Sequence, residues 1–279
     1  MKDTPLLVVD DLRVTFDTAR GPVEAVRGVS FELGREKLGI VGESGSGKSQ
    51  TGRALLGLIA RNGRIDAKRL SFDGIDLLDA DERTMRSIRG ARISMIMQDP
   101  KFSLNPVISV GKQIVEAFRV HTRASKREAR ERALAMLSAV RIRNPEHVFD
   151  AYPHEVSGGM GQRIMIAMMM IPEPDIIIAD EPTSALDVTV QMQVLAILDD
   201  MVSERGTGLL FISHDLNLVA SFCDRVLVMY AGRIVETIAA RDLRSAQHPY
   251  TRGLLNCLPS IDGSSAELPV LARDPEWAL

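Results

Sequence analysis

The stretch Gly42-Glu43-Ser44-Gly45-Ser46-Gly47-Lys48-Ser49 follows the pattern G-x-x-x-x-G-K-[ST]. Leu38-Gly39-Ile40-Val41 ahead of it reads as a strand, and the residues behind it, with Ala54, Leu55 and Leu58 on one face, read as a helix. Between a strand and a helix, such a segment is a phosphate loop rather than a chance glycine-rich turn. Its glycines let successive backbone N–H groups point inward at phosphate oxygens, and the helix N-terminus adds a favourable dipole. Lys48 is placed to neutralise the β- and γ-phosphates and Ser49 to hold Mg²⁺. Gln50, next in the chain, is counted among the nucleotide-binding residues. The expected ligands are a nucleotide and Mg²⁺.

A second group of candidates lies at the ends of two apolar runs. Asp180 and Glu181 close Ile176-Ile177-Ile178-Ala179, which suits a buried parallel strand. Such a strand delivers both carboxylates to the C-terminal edge of a sheet, where ligands bind in open α/β folds. Asp180 suits a Mg²⁺ partner, and Glu181 a general base acting on the attacking water. The alternative is an acid that simply caps the next helix. His214 ends Leu209 to Ser213 and is placed to reach a γ-phosphate or orient water; the alternative is an edge histidine bonded to a carbonyl.

The elements that must carry these residues follow from hydrophobic periodicity. Leu6 to Val9, Leu12 to Phe16 and Val26 to Leu33 read as strands, with a turn at Arg20-Gly21-Pro22. The middle of the chain turns helical. Between Ser125 and Arg143, Leu134, Leu137 and Val140 recur at helical spacing, and Ser125 with Glu128 forms a capping box. Gly161 to Ile171 reads as a further helix. Residues 99–172 are taken as a mainly helical insertion. Beyond them, Val190 to Ser203 is expected as a helix burying Val194, Leu195, Leu198, Met201 and Val202. Leu216 to Cys223 follows as another helix, and Val226 to Tyr230 with Ile234-Val235 as a hairpin about Ala231-Gly232-Arg233. Alternating strand and helix predict an α/β fold with a mainly parallel sheet.

Further segments carry a family resemblance. Ser157-Gly158-Gly159-Met160-Gly161-Gln162-Arg163 resembles the signature of ATP-binding-cassette (ABC) ATPases. Ile177 to Asp187 resembles their Walker B and D-loop, Gln98 in Met97-Gln98-Asp99-Pro100 their Q-loop, and Ser213-His214-Asp215 their H-loop. Phe16 matches the aromatic that stacks on adenine. The matches run in family order over residues 6 to 240. The resemblance implies a P-loop NTPase of ABC type, with ATP as its nucleotide, an N-terminal antiparallel β-subdomain and an inserted α-helical subdomain. It implies one ATPase domain over residues 1–260, followed by a short extension over 261–279. It also implies that two such subunits, alike or different, meet head to tail. Ser157, Gly158 and Gly159 would then touch the partner's γ-phosphate, and Gln98 would link γ-phosphate and Mg²⁺ to the helical insertion.

Within the family, Gln98-Asp99-Pro100 followed by Ser103-Leu104-Asn105-Pro106, Met160, and His248-Pro249-Tyr250-Thr251 are similar to the importer branch for dipeptides, oligopeptides and nickel. That branch implies two transmembrane permease subunits, a periplasmic or surface substrate-binding protein, and a place on the cytoplasmic face of the cell membrane. Peptides are the favoured cargo, with nickel chelates or sugar-linked compounds as alternatives. Two departures stand out. Gly161 replaces a bulkier or charged residue, and one cysteine, Cys257, stands where many members hold an iron–sulfur cluster. No cluster is therefore expected, and Cys257 is read as a small buried apolar residue.

Composition narrows the class. A formal net charge of −3 over 279 residues argues against nucleic acid as a partner. Two cysteines do not make a disulfide framework. No apolar run approaches the roughly 20 residues that cross a bilayer, so a membrane role must come through a partner. Met165, Met168, Met169 and Met170 are expected to pack rather than bind metal, and Lys126, Arg127, Arg130 and Arg132 to form a solvated helix face, with a place near lipid headgroups as the alternative. A non-enzymatic regulatory cassette is one rival reading, against which Lys48, Asp180, Glu181 and His214 all count, and a soluble ABC ATPase of DNA repair or translation is the other. Those forms carry coiled coils, zinc-binding cysteines or two cassettes, none of which is seen here.

Overall fold

The computed structural model describes residues 4–184, 186–257 and 277. By internal packing the chain divides into two units, residues 1–79 with 210–279, and residues 80–209.

The first unit opens with β1 (Leu7–Thr18) and β2 (Gly21–Leu33), paired antiparallel. The two short strands expected from the sequence are one strand interrupted by a bulge. The register shifts between Val9 and Leu12, and Asp11 takes a left-handed φ of 52°. The extra residue resets the alternation of faces. Leu7 and Val9 before it and Leu12 and Val14 after it therefore all point into the core, none more than 2% exposed. After β3 (Lys37–Val41) and α1 (Lys48–Leu55) come β4 (Gly63–Asp66), β5 (Arg69–Phe72) and β6 (Ile75–Asp76). The antiparallel sheet runs β2-β1-β5-β6, with β4 also on β1. Helix α1 buries Ala54 and Leu55 as expected. Leu58 departs from its expected place: the helix stops at Leu55, so Leu58 lies beyond it and is 49% exposed, while Leu56 goes into the core.

The second unit contains α2 (Glu82–Ile88), β7 (Ile93–Ile96), α3 (Pro100–Ser103), α4 (Val110–His121), α5 (Lys126–Ala139), α6 (Pro145–Asp150), α7 (Gly158–Met170), β8 (Ile176–Asp180) and α8 (Val188–Arg205). Strands β7 and β8 pair in parallel from Ile93↔Ile176 to Ile96↔Ala179. The capping box at Ser125 and Glu128 starts α5, which buries Ala129, Ala133, Met136 and Leu137. Leu134 is only half-buried. The basic residues of α5 face outward: Arg127 pairs with Glu131, Arg132 with Glu173, and Arg130 lies over the Phe149 ring. Met165 and Met170 of α7 are fully buried, and Val194, Leu195, Leu198, Met201 and Val202 line the inner face of α8.

The chain then enters the first unit within β9 (Gly208–Ile212) and completes it with α9 (Leu216–Phe222), β10 (Arg225–Tyr230), β11 (Arg233–Ala239) and α10 (Pro249–Asn256). There the order is β11-β10-β3-β9, with β10 parallel to β3 and antiparallel to β11. Ala231 and Gly232, with φ of 45° and 83°, make the two-residue hairpin turn. The fold is thus α/β, with an antiparallel N-terminal sheet, parallel pairings of β3 with β10 and of β7 with β8, an antiparallel β10–β11 hairpin and a run of helices from α3 to α7.

Two expectations concern the chain's end. Cys257, read as buried, is half-buried just past α10, and Cys223 is the buried thiol. The weakly patterned tail after Pro259 lies outside the described residues, apart from half-buried Trp277.

Candidate active site

In the first unit, Gly42 to Gly47 bridge β3 and α1 on backbone that a side chain would block. Gly42 has φ +153° and Gly47, the N-cap of α1, +101°. A Cβ at Gly42 would lie 2.1 Å from the Met229 carbonyl oxygen, and one at Gly47 2.4 Å from that of Ala25. Gly45 (φ +81°) instead faces open space. Lys48 is 5% exposed, and its Nζ donates to the carbonyls of Gly42 and Glu43, both at 2.8 Å. The ammonium thus spans the loop it belongs to. Among the described residues the buried Ser46 Oγ has no hydrogen-bond partner, a polar atom left over of the kind a polar ligand would satisfy. Ser49 and Gln50 follow in the first turn of α1, both half-buried.

His214 shares a pocket of about 340 Å³ with Gly42, Glu43 and Ser44. It is exposed, just past β9. Its neighbour Asp215 has a structural task, accepting from the Leu218 amide at 3.0 Å to cap α9. Phe16 sits on β1 opposite Val23 and Gly63. A Cβ at Gly63 would come within 2.7 Å of Phe16 Cε1, so the ring lies directly over Gly63. Sequence reasoning missed Gly63; a glycine opening a strand is the one signal that backbone and ring approach there.

The second unit assembles the acidic group. Asp180, 3% exposed, ends β8. Glu181 follows with a left-handed φ of 47°, and its carbonyl accepts from the amide and hydroxyl of Ser184 at 3.3 and 3.2 Å. A non-glycine residue held there carries strain of roughly 1–2 kcal/mol, a cost that clusters at functional positions. Gln98 stands two residues past the pair Ile96↔Ala179, as Glu181 does on the neighbouring strand. The two side chains meet, Gln98 Nε2 to Glu181 Oε2 at 3.4 Å.

Ser157 is the N-cap of α7, its Oγ accepting from the Met160 amide at 3.4 Å. Gly158 meets open space, whereas a Cβ at Gly159 would lie 2.6 Å from Val190 Cγ1. Arg163 ties this turn down, Nη1 donating to the Arg141 carbonyl at 2.8 Å and Nε to that of Gly159 at 3.3 Å. Burial, and then the charge of Arg143, hold its pKa below the ordinary guanidinium value. Gly161 lines a pocket of about 220 Å³ with Leu104, Val156 and Leu186; a Cβ there would sit 3.7 Å from Pro100, an ordinary contact. Asp187 caps α8 through the Val190 amide, 3.1 Å away.

These residues suit a nucleotide and a hard cation. The loop offers N–H groups, a lysine and the Ser49 hydroxyl to a phosphate and its cation, and in the second unit Asp180 by itself offers carboxylate oxygen. Mg²⁺ asks for only one or two protein oxygens beside phosphate. Among the described residues there is no cluster of three or more His, Cys, Asp or Glu side chains for a metal. No described helix is long and apolar enough to cross a membrane.

Comparison with known proteins agrees. The model of the ABC transporter family matches residues 26–184. The oligopeptide transport ATP-binding protein OppD of Salmonella typhimurium is 50% identical over 272 residues, spanning 97% of this chain and 81% of that protein. The dipeptide transport ATP-binding protein DppD of Bacillus subtilis is 47% identical over 273 residues, 97% of this chain and 82% of its own. Among solved structures, a dimeric ATP-binding cassette in a post-hydrolysis state, with ADP and Pi, superposes with a TM-score of 0.75 at 25% identity, covering 84% of this chain and 99% of its own.

Proposed function

Since this chain belongs to the ABC transporter family, as a cassette that binds and hydrolyses ATP, we propose that it energises the uptake of peptides as one ATPase subunit of an importer. The observation that carries the proposal is the 50% identity over 97% of the chain to a protein of oligopeptide transport. The residues that chemistry needs are all present.

In this reading the backbone N–H groups of Gly45 to Ser49 and the Lys48 ammonium hold the phosphates of ATP, and Phe16 stacks on adenine. Bound Mg²⁺, for which Ser49, Gln98 and Asp180 are the candidate oxygen ligands, would draw charge from the phosphate oxygens. Glu181 takes a proton from the attacking water as the terminal phosphate leaves, and His214 steadies that phosphate. Gln98, donating to Glu181, keeps the carboxylate turned toward the water. Ser157, Gly158 and Gly159 complete the site of a second ATPase subunit through the N-terminus of α7. Two such subunits, alike or different, work under two permease subunits at the cytoplasmic face of the cell membrane. A periplasmic or surface binding protein supplies the cargo. ATP favours the closed pair and hydrolysis releases it.

Reconstitution in vesicles with its permease subunits, its partner ATPase and the binding protein tests this. A peptide-loaded binding protein should raise ATP turnover several-fold and drive peptide into the vesicles. Stimulation by a nickel chelate or a sugar-linked compound, with none by peptides, would overturn the cargo assignment and leave the ATPase standing.

A further inference from the structure

The phosphate loop is tied to a residue 207 positions away in the chain. The backbone N–H of Glu43 donates to the hydroxyl oxygen of Tyr250 at 3.1 Å. Tyr250 is fully buried, and its ring is held on two sides, with centroids 4.5 Å from Tyr230 and 5.9 Å from Trp277. The start of α10 is anchored as well. Glu236 of β11 accepts from the amides of Gln247 and His248 at 2.7 and 3.3 Å, and His248 Nδ1 accepts from the Tyr250 amide at 3.2 Å. Between them Pro249 opens the helix at a position where no N–H is needed. Further along the same helix, Leu254 lines the pocket that contains Gly42, Glu43, Ser44 and His214. Helix α10 is therefore a wall of the nucleotide pocket, and it reaches the second residue of the loop through the Tyr250 hydroxyl.

We infer that Tyr250 is a positioning residue for nucleotide binding: its hydroxyl fixes the phosphate loop in the form that receives ATP. A phosphate loop binds through N–H groups that must all face one point, so its affinity depends on how little the loop must reorganise. Tyr250 touches no phosphate in this scheme; it acts through the Glu43 amide.

The inference rests on the phosphate-loop reading, and the test separates the two. ATP affinity is measured by equilibrium titration on the full chain, with turnover measured in parallel, for Tyr250→Phe, Trp277→Leu and Lys48→Ala. Tyr250→Phe keeps the ring and removes only the oxygen. It should weaken ATP binding by about five- to tenfold, as expected for the loss of a hydrogen bond to a part-buried amide, with turnover at saturating ATP unchanged. Trp277→Leu disturbs the aromatic seat but keeps the hydroxyl, and should stay near wild-type affinity. Wild-type affinity in Tyr250→Phe overturns the inference, as does an equal loss in Trp277→Leu or a fall in turnover rather than affinity. Lys48→Ala with undiminished ATP binding would instead overturn the phosphate-loop reading beneath it.

Discussion

The side-chain amide of Gln98 donates to the carboxylate of Glu181 across 3.4 Å, from the ends of two parallel strands. The register Ile96↔Ala179 brings them level, and Glu181 holds a left-handed backbone φ of 47°. That strain has a use if the carboxylate is the proton acceptor. Glu181→Gln should lower turnover by about 10²- to 10⁴-fold while ATP still binds. Steady-state hydrolysis with a parallel ATP titration checks it; undiminished hydrolysis would remove Glu181 from the mechanism.

Gly47 bears on both fold and ligand. Alanine there must adopt φ +101° and place its Cβ 2.4 Å from the Ala25 carbonyl, so the loop or β2 has to move. Gly47→Ala should cost about 1–3 kcal/mol of stability and abolish measurable ATP binding. Denaturant unfolding and ATP titration on the same sample test the pair of outcomes.

Gly63 should separate binding from folding. Its missing Cβ leaves room for the ends of two flexible side chains, Phe16 and Ile59, which can shift without moving backbone. Gly63→Ala is expected to lower stability little but push the Phe16 ring off its place. ATP affinity should fall about two- to tenfold, the range of one aromatic stacking contact, with turnover at saturation intact. A Phe16→Ala variant losing the same factor, without further loss in the double variant, would show that Gly63 acts through that ring.

The two thiols should differ in reactivity and pH response. Burial pushes the Cys223 thiol up from its ordinary 9.0 to about 12. The folded protein thus keeps a proton that the unfolded chain releases first. Stability from this group is complete below pH 9.0 and is lost as pH rises towards about 12. Unfolding midpoints across that alkaline range should decline, and less steeply in Cys223→Ala. Under native conditions a thiol reagent should label half-buried Cys257 first and Cys223 only on unfolding.

Much of the candidate site's local geometry was legible in the chain because its requirements are local. A backbone with φ above +80° at Gly45 and Gly47, followed by a lysine at a helix start, leaves a fixed pattern of residue types. The acids after an all-buried strand are similarly marked by the apolar run ahead of them, and the α5 cap by a serine and glutamate three apart. Where periodicity was the only guide, boundaries slipped: the strand pattern broke at Asp11 because a bulge shifts the alternation by one residue, and Leu58 fell outside a helix that ended early.

By itself, then, the sequence determined the glycine-rich loop of the candidate phosphate site, the strand-end carboxylates and the α/β alternation that delivers them. Each of these is written in residues near one another, where sterics and hydrogen bonding restrict which types fit. The tertiary structure alone decided that Glu43 meets Tyr250, that Phe16 rests on Gly63, that Gln98 reaches Glu181 and that Cys257 is left half-exposed. Those pairs join segments as much as 207 residues apart. No spacing or period records them, because they depend on which surfaces pack together once the chain has folded.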